Sequence, residues 1–375
     1  MIVMILLIIR TQNNLQSYYR DVKDLFKYLC ILVFSSFLKK NSELSNKLIC
    51  TVNVCLIMTS KKRTNLFHDF PIRYAWIVES DSRSNALFFE APSLLTHPSP
   101  TWFRVTKKGD IVGRIDSKIL EIAEREKLIL APLISNYEAN VGFSDTLFHE
   151  FITSRTAIKN FLAQLTRLLS EHYIKGINLD FENVSPRDEQ HLIKLLKLIK
   201  QEFPDIVLSI DVPPLVDVEG TAWHYSFDYA TISQYADHLI VMAYDYHWSK
   251  SKPGPITPLS WLDRIVNYTK SQVPLDKIVI GLPLYGYDWP KGLHGKGVST
   301  IAAEQLANEK NVTTSIDKNS LEGFFEYYDE NGTLHTVYYQ TTEANKERLL
   351  KLKKNDIRGI SYWYWGAASL QWFIA

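Results

Sequence analysis

The sequence predicts an α/β fold, a (β/α)8 TIM barrel with a small α+β insertion between strands 7 and 8. Three observations lead there. From Arg73 onward, eight short apolar runs alternate with segments of helical periodicity, the pattern of a parallel sheet with crossover helices. No glycine-rich phosphate loop of the GxGxxG or Walker type follows the first run, which removes support for an open nucleotide-binding sheet. The regular spacing is broken once, between Tyr287 and Asp356. Length alone does not decide, since 375 residues admit one large barrel or two ordinary domains.

In chain order, the expected strands are Tyr74 to Glu79, Ala86 to Glu90, Leu128 to Leu133, Gly176 to Phe181, Val207 to Val212, His238 to Ala243, Lys277 to Leu282 and Gly359 to Trp363. Helices are expected over Lys118 to Glu126, Ser154 to Glu171 and Asp188 to Glu202, where apolar residues recur three and four apart. Pro186 suits the first turn of the third. In the interrupted stretch, Phe324 to Tyr328 and His335 to Gln340 flank Glu330-Asn331-Gly332, a strong hairpin signal, and Glu343 to Lys354 reads as a helix. The expected division is therefore a catalytic barrel over 67–375, interrupted by an insertion over 290–355 that stands beside the mouth of the barrel.

Residues 1–66 read as a separate leader or a mis-assigned start. Met1 to Ile9, Tyr28 to Leu38 and Leu48 to Met58 are apolar, but none reaches the ~18 to 20 residues that span a bilayer. The first run lacks a basic leader, so membrane association of residues 1–60 is left open as an expectation. The three cysteines, Cys30, Cys50 and Cys55, all fall in this part, which excludes a disulfide framework from the rest. A net charge of +1 gives no electrostatic case for nucleic acid. Aromatics make up 13%, which suits stacking on sugars as well as an ordinary core.

The chemistry concentrates in Gly176-Ile177-Asn178-Leu179-Asp180-Phe181-Glu182. Side chains in a strand alternate faces, so Ile177, Leu179 and Phe181 share one side while Asn178, Asp180 and Glu182 share the other. An edge strand with a solvated acidic face would show the same alternation. A row of carboxylates aimed into a barrel, however, is costly unless a reaction uses it. Catalytic groups in a barrel sit at the carboxyl ends of strands, where Glu182 falls. Asp180 lies two residues back on the same face, its Cα roughly 6.5 to 7 Å away. Two carboxyls on one side of a substrate do not suit an ordinary retaining glycosidase, whose pair flanks the scissile bond. A sugar with a 2-acetamido group can supply its own nucleophile, leaving Glu182 to protonate the leaving group and Asp180 to orient the acetamide.

At these residues the chain resembles glycoside hydrolase family 18, the chitinase-like hydrolases, whose fourth strand carries Asp-Gly-x-Asp-x-Asp-x-Glu. Here it reads Lys175-Gly176-Ile177-Asn178-Leu179-Asp180-Phe181-Glu182. Met242-Ala243-Tyr244-Asp245 is similar to the family's sixth-strand Met-x-Tyr-Asp, Gly281-Leu282-Pro283-Leu284-Tyr285-Gly286 to its seventh strand, and Gly359 to Trp363 to its eighth. The resemblance covers about residues 70 to 375. It implies substrate-assisted hydrolysis, with Tyr244 and Asp245 holding the acetamido group and Trp363 flooring the pocket. Met242 joins the binding set on the same ground. Asn178 to Val184 and Tyr244 to Trp248, followed by Pro253-Gly254-Pro255, are most similar to the bacterial spore-cortex-lytic N-acetylglucosaminidase branch. Those enzymes act on peptidoglycan and usually carry LysM modules, none of which is legible here.

Two positions depart from the signature. Lys175 stands seven residues before Glu182, roughly 23 Å at full extension, which puts it at the far end of the barrel. Asn178 replaces the middle Asp. Its amide can hydrogen-bond Asp180 but cannot share a proton or add negative charge, so proton cycling between Asp180 and Glu182 is expected to differ from that of three-Asp enzymes. Trp248, Trp289, Tyr285 and Tyr287 follow strand ends, where they either stack on flanking sugars or simply pack. Asp288 reads as a turn cap, and His247 has no second ligand at zinc-like spacing.

The reading is thus a hydrolase cleaving β-1,4 bonds of N-acetylglucosamine-containing glycans, with peptidoglycan favoured over chitin. It is expected to act as a monomer without metal or cofactor, at the cell envelope, in the spore or secreted. The rival is a chitinase-like lectin that binds the glycan without cutting it; such proteins typically lose the catalytic Glu or its Asp neighbour, and this chain keeps Glu182 and Asp180.

Overall fold

The computed structural model describes residues 66–216 and 226–374. The expected leader, its apolar runs and the three cysteines lie outside the described residues. Eight parallel strands form the barrel: β1 (Ile72–Ile77), β2 (His97–Pro100), β3 (Leu133–Ser135), β4 (Gly176–Asp180), β5 (Val207–Val212), β6 (His238–Met242), β7 (Ile278–Pro283) and β8 (Gly359–Trp363). Their ladder runs β2-β1-β8-β7-β6-β5-β4-β3, with Phe103–Val105 and Ile111–Gly113 added beyond β3. Between β2 and the approach to β3, Ile129 N–H donates to the Thr96 carbonyl and Ala131 N–H to the Pro98 carbonyl, both at 3.0 Å, which closes the ring.

One expected strand is wrong, and the third, expected over Leu128 to Leu133, is instead Leu133–Ser135. Ala86 to Glu90 belongs to the helix Ser82–Glu90, capped by the Asp81 carboxylate on Arg83 N–H at 2.9 Å. Its buried residues, Ser84, Leu87 and Phe88, follow the three-and-four spacing that the run Ala86-Leu87-Phe88-Phe89 conceals. The second strand is instead His97-Pro98-Ser99-Pro100, buried throughout. Two prolines argue against a central strand, because each removes a ladder donor. Pro98 takes part through its carbonyl alone.

The helices Ser117–Arg125, Arg155–Glu171 and Glu189–Glu202 match the expected periodic segments. Asp116 and Ser154 cap the first two by accepting from backbone N–H groups. Ile177, Leu179 and Phe181 point outward into the layer between strands and helices, where the Phe181 ring lies 5.1 Å from that of Phe148. Inside the ring, Tyr74, Trp76, Ala131, Leu133, Ile240 and Val279 form a second cluster. At the amino-terminal ends of the strands, the Tyr74 hydroxyl lies 2.8 Å from His238 Nδ1 and its ring stacks on His97 at 4.5 Å. Burial holds His97 down at about 3 and His238 at about 4, so both rings are neutral at pH 7.

Between β7 and β8 stands an antiparallel sheet of five strands, ordered Lys296–Ser299, Tyr285–Pro290, Leu334–Tyr339, Gly323–Tyr328 and Ser315–Ile316. The Asn331-Gly332 hairpin is where the sequence expects it, with Gly332 at φ 75° and Asp329 accepting from Asn331 and Thr333 N–H. Asp288, expected to cap a turn, accepts from the Tyr327 hydroxyl at 2.8 Å and lies 2.7 Å from His335 Nδ1 within this sheet. The insertion is joined to the barrel where a buried ion pair of its own meets barrel backbone. Arg348, on the helix Thr342–Lys354, reaches Glu322 at 2.6 Å, and Glu322 also accepts from Ile256 and Thr257 N–H at 2.7 and 2.8 Å. Thr257 in turn donates its hydroxyl to the Ala243 carbonyl at 2.8 Å, immediately before Tyr244.

Candidate active site

β4 delivers its polar face to the interior. Asn178 and Asp180 are both buried, and Asp180 Oδ1 has no hydrogen-bond partner among the described residues. Glu182, one residue past the next outward side chain, stands partly open at the carboxyl end of the strand. Its backbone is clamped by Asn136, fully buried after β3: Glu182 N–H donates to Asn136 Oδ1 at 3.0 Å, and Asn136 Nδ2 donates to the Glu182 carbonyl at 2.8 Å. Asn183 then takes φ 55°, turning the chain out of the barrel.

Asn178, able to bond Asp180, is engaged with other partners. Asn178 Nδ2 donates to Asp211 Oδ1 at 2.8 Å, and its Oδ1 accepts from Trp76 Nε1 at 2.9 Å and Ser99 Oγ at 3.0 Å. Trp76 Nε1 also reaches Asp211 Oδ2 at 3.2 Å. The amide is used as a two-sided connector, accepting from β1 and β2 while donating to β5.

Burial, then the neighbouring Asp180 and Asp245, push Glu182 well above the usual carboxylate range. Burial alone raises Asp180. A carboxylic acid that keeps its proton near neutrality suits a general acid, and a buried neighbour of like sign is one device that achieves it. Tyr244 is ringed by Asp211, Asp180, Glu182 and Asp245; burial and those charges hold its phenol protonated, as a hydrogen-bond donor. Asp245, at φ 64°, accepts from the Tyr285 hydroxyl, and from the Tyr287 hydroxyl at 3.2 Å on each oxygen. Burial raises its acid to about 6 against the pull of the two phenols.

Around these groups, Met242 is buried at the end of β6. Trp363, at the end of β8, is half-buried and meets Trp76 edge-on at 5.7 Å. Trp248 is exposed, while Trp289 is buried and donates to the Trp248 carbonyl at 3.2 Å, so Trp289 packs. Tyr285 is also buried, with its hydroxyl committed to Asp245. His247 Nδ1 lies 2.8 Å from the Pro255 carbonyl. A cavity of about 580 Å³ is lined by Arg104, Lys107, Tyr137, Glu138 and Ser144, and none of the acids named above lines it.

A fold of this kind hosts many chemistries, so the assignment rests on comparison with known proteins. The family model "Glycosyl hydrolases family 18" matches residues 120–367. The chain belongs to glycoside hydrolase family 18. As a family 18 member it is a glycosidase. It is 29% identical over 275 residues to the uncharacterized glycosylase YvbX of Bacillus subtilis, covering 71% of this chain and 79% of that protein. The cortical fragment-lytic enzyme of Bacillus anthracis is 30% identical over 254 residues, 66% of this chain, and the match spans 59% of that enzyme's length. The crystal structure of the Bacillus cereus spore cortex-lytic enzyme SleL superposes with a TM-score of 0.75 at 27% identity, covering 81% of this chain and 73% of that one.

Within the family 18 signature, Lys175 is exposed before β4, its ammonium 4.9 Å from the centroid of the Tyr173 ring. Sequence reasoning missed Asp211, Trp76, Ser99 and Asn136. Ser209-Ile210-Asp211 alternates as Asn178-Leu179-Asp180 does, which was a usable signal for Asp211. The other three show nothing in sequence that sets them apart from core or loop residues.

Proposed function

We propose that this family 18 glycosidase hydrolyses the β-1,4 bond following an N-acetylglucosamine unit, with retention, through an oxazolinium intermediate formed by the substrate's own acetamide. The observation that carries this reading is Asp180, buried at the end of β4 with its Oδ1 unpartnered among the described residues, and Glu182 two residues on, close enough to feel the Asp180 charge. In this reading Glu182 protonates the leaving oxygen and then takes a proton from the water that opens the intermediate. Asp180 orients and stabilises the acetamide, Tyr244 donates to its carbonyl oxygen, and Asn178 holds the strand's polar face in register. Asp245, Met242, Trp363, Trp248 and Tyr287 contact the glycan, and Tyr285 acts through Asp245. Residues 67–375 form the catalytic unit, and 1–66 lie outside it.

Peptidoglycan is the favoured polymer and chitin the second. The relatives that are cortical fragment-lytic and spore cortex-lytic enzymes support that order. Product analysis on purified cortex peptidoglycan beside chitin oligomers tests it. Fragments ending in reducing N-acetylglucosamine from cortex are expected; cleavage of chitin alone would reverse the order, and products of inverted configuration would overturn the mechanism.

A further inference from the structure

We propose that Asp211 is a positioning residue of this site. From β5 it supplies the third carboxylate that Asn178 cannot be, and it sets how protons are shared between Asp180 and Glu182. The inference rests on the proposed hydrolysis only for its kinetic readout.

The register puts Asp211 in place. β4 and β5 pair Asn178 with Ser209 and Leu179 with Ile210, so Asp180 and Asp211 stand at the same level on adjacent parallel strands, roughly 4.8 Å apart at the backbone. Side chains at one level of a parallel pair share a face, and both residues are buried inside the barrel. Asp211 accepts from Asn178 Nδ2 on one oxygen and from Trp76 Nε1 on the other. An amide at position 178 is what allows this: a carboxylate there would face Asp211 with no hydrogen to give, whereas Asn178 donates to it. The residue pair reads as an exchange, with the amide on β4 and the acid on β5.

The titratable groups facing Asp211 are Asp180 and Glu182 from β4, Tyr244 after β6, and Tyr74 from β1. None of them brings a positive charge. Burial and the Asp180 charge raise Asp211 well above its usual range, against the pull of the Asn178 and Trp76 donors. A purely structural acid would be expected to find a cation or a full set of donors, as Glu322 does with Arg348, Ile256 and Thr257.

The test compares Asp211→Asn, Asn178→Asp and the exchanged double variant in the whole chain, measuring kcat and KM against pH on an N-acetylglucosamine oligomer, and Tm against pH. Asp211→Asn retains a side chain able to accept from Asn178. Its kcat is expected to fall at least tenfold with KM within threefold, and its alkaline limb to move to lower pH, because a like charge near Glu182 is gone. Asn178→Asp should move that limb upward and lower Tm at neutral pH. The exchanged variant should recover to within threefold of the parent. An unchanged pH profile in Asp211→Asn, or an exchanged variant no better than the worse single, would overturn the proposal. If the parent releases no product from any such oligomer, the functional reading fails by itself, and the Tm curves decide: a shallower fall of Tm with pH in Asp211→Asn, restored by the exchange, supports shared protons, and parallel curves refute them.

Discussion

Two sets of buried charge in this chain are handled in opposite ways. At the seam between insertion and barrel, Glu322 meets Arg348 at 2.6 Å and two backbone N–H groups, and Arg348 also reaches the Gln340 side chain and the Thr257 carbonyl. In the barrel mouth, burial raises the acids of Asp180, Glu182 and Asp211, the Asp180 charge raises the other two further, and no cation among the described residues offsets the rise. A buried pair with its donors supplied holds structure together; a cluster of like charge costs stability and is retained for what it does. The seam also serves the mouth, since Thr257 carries it to the Ala243 carbonyl beside Tyr244.

The contrast can be broken from either side. Glu182→Gln should show the largest effect, a loss of about 10³-fold in kcat on an N-acetylglucosamine oligomer, the scale of a lost general acid, with Tm unchanged or higher. Full activity would remove Glu182 from the chemistry. At the seam the expected penalty is in folding: Arg348→Met leaves Glu322 buried and unpaired, at about 3 to 5 kcal/mol in urea titration. Adding Glu322→Gln should recover part of that, and a double variant as unstable as the single would contradict the pairing.

Asp180→Asn should divide the two properties, lowering kcat by about 10²-fold while raising Tm at neutral pH. The sign follows from linkage. Asp180 has a folded acid value raised to about 7, above the unfolded ~3.9, so folding keeps a proton that the unfolded chain has lost. That contribution is fully present below pH ~3.9 and is lost as pH rises toward 7. The decline of Tm over this window should therefore be shallower in the variant, and parallel declines would show that Asp180 does not titrate there. The smallest change is expected from Tyr285→Phe. Removing one donor from Asp245 should raise its acid above about 6 and increase KM a few-fold with kcat nearly constant.

The two regions were unequally legible in the sequence. The alternation of β4 pointed to an acidic inner face and an apolar outer one, because a strand's period of two is visible in a single segment. The insertion announced itself through Asn331-Gly332 between aromatic runs. β2 is hidden by Pro98 and Pro100, and Ala86 to Glu90 reads as a strand in its place because four consecutive apolar residues carry no period. Asp211 lies in a segment expected as a strand, yet its meeting with Asn178 depends on the register of β4 on β5, which no single segment encodes. Glu322 and Arg348 were missed for the same reason: 26 positions separate them, and only the folded insertion joins them.

The neutral stack of Tyr74, His97 and His238 under the barrel has a consequence for traffic. It fills the amino-terminal end of the barrel with packed rings, and puts no imidazolium beneath the acids to neutralise them. On the proposed mechanism, glycan and water reach the acids from the carboxyl ends of the strands. There the departing chain must clear the mouth before water can open the intermediate and return a proton to Glu182, so departure of the leaving chain sets when the acid recovers.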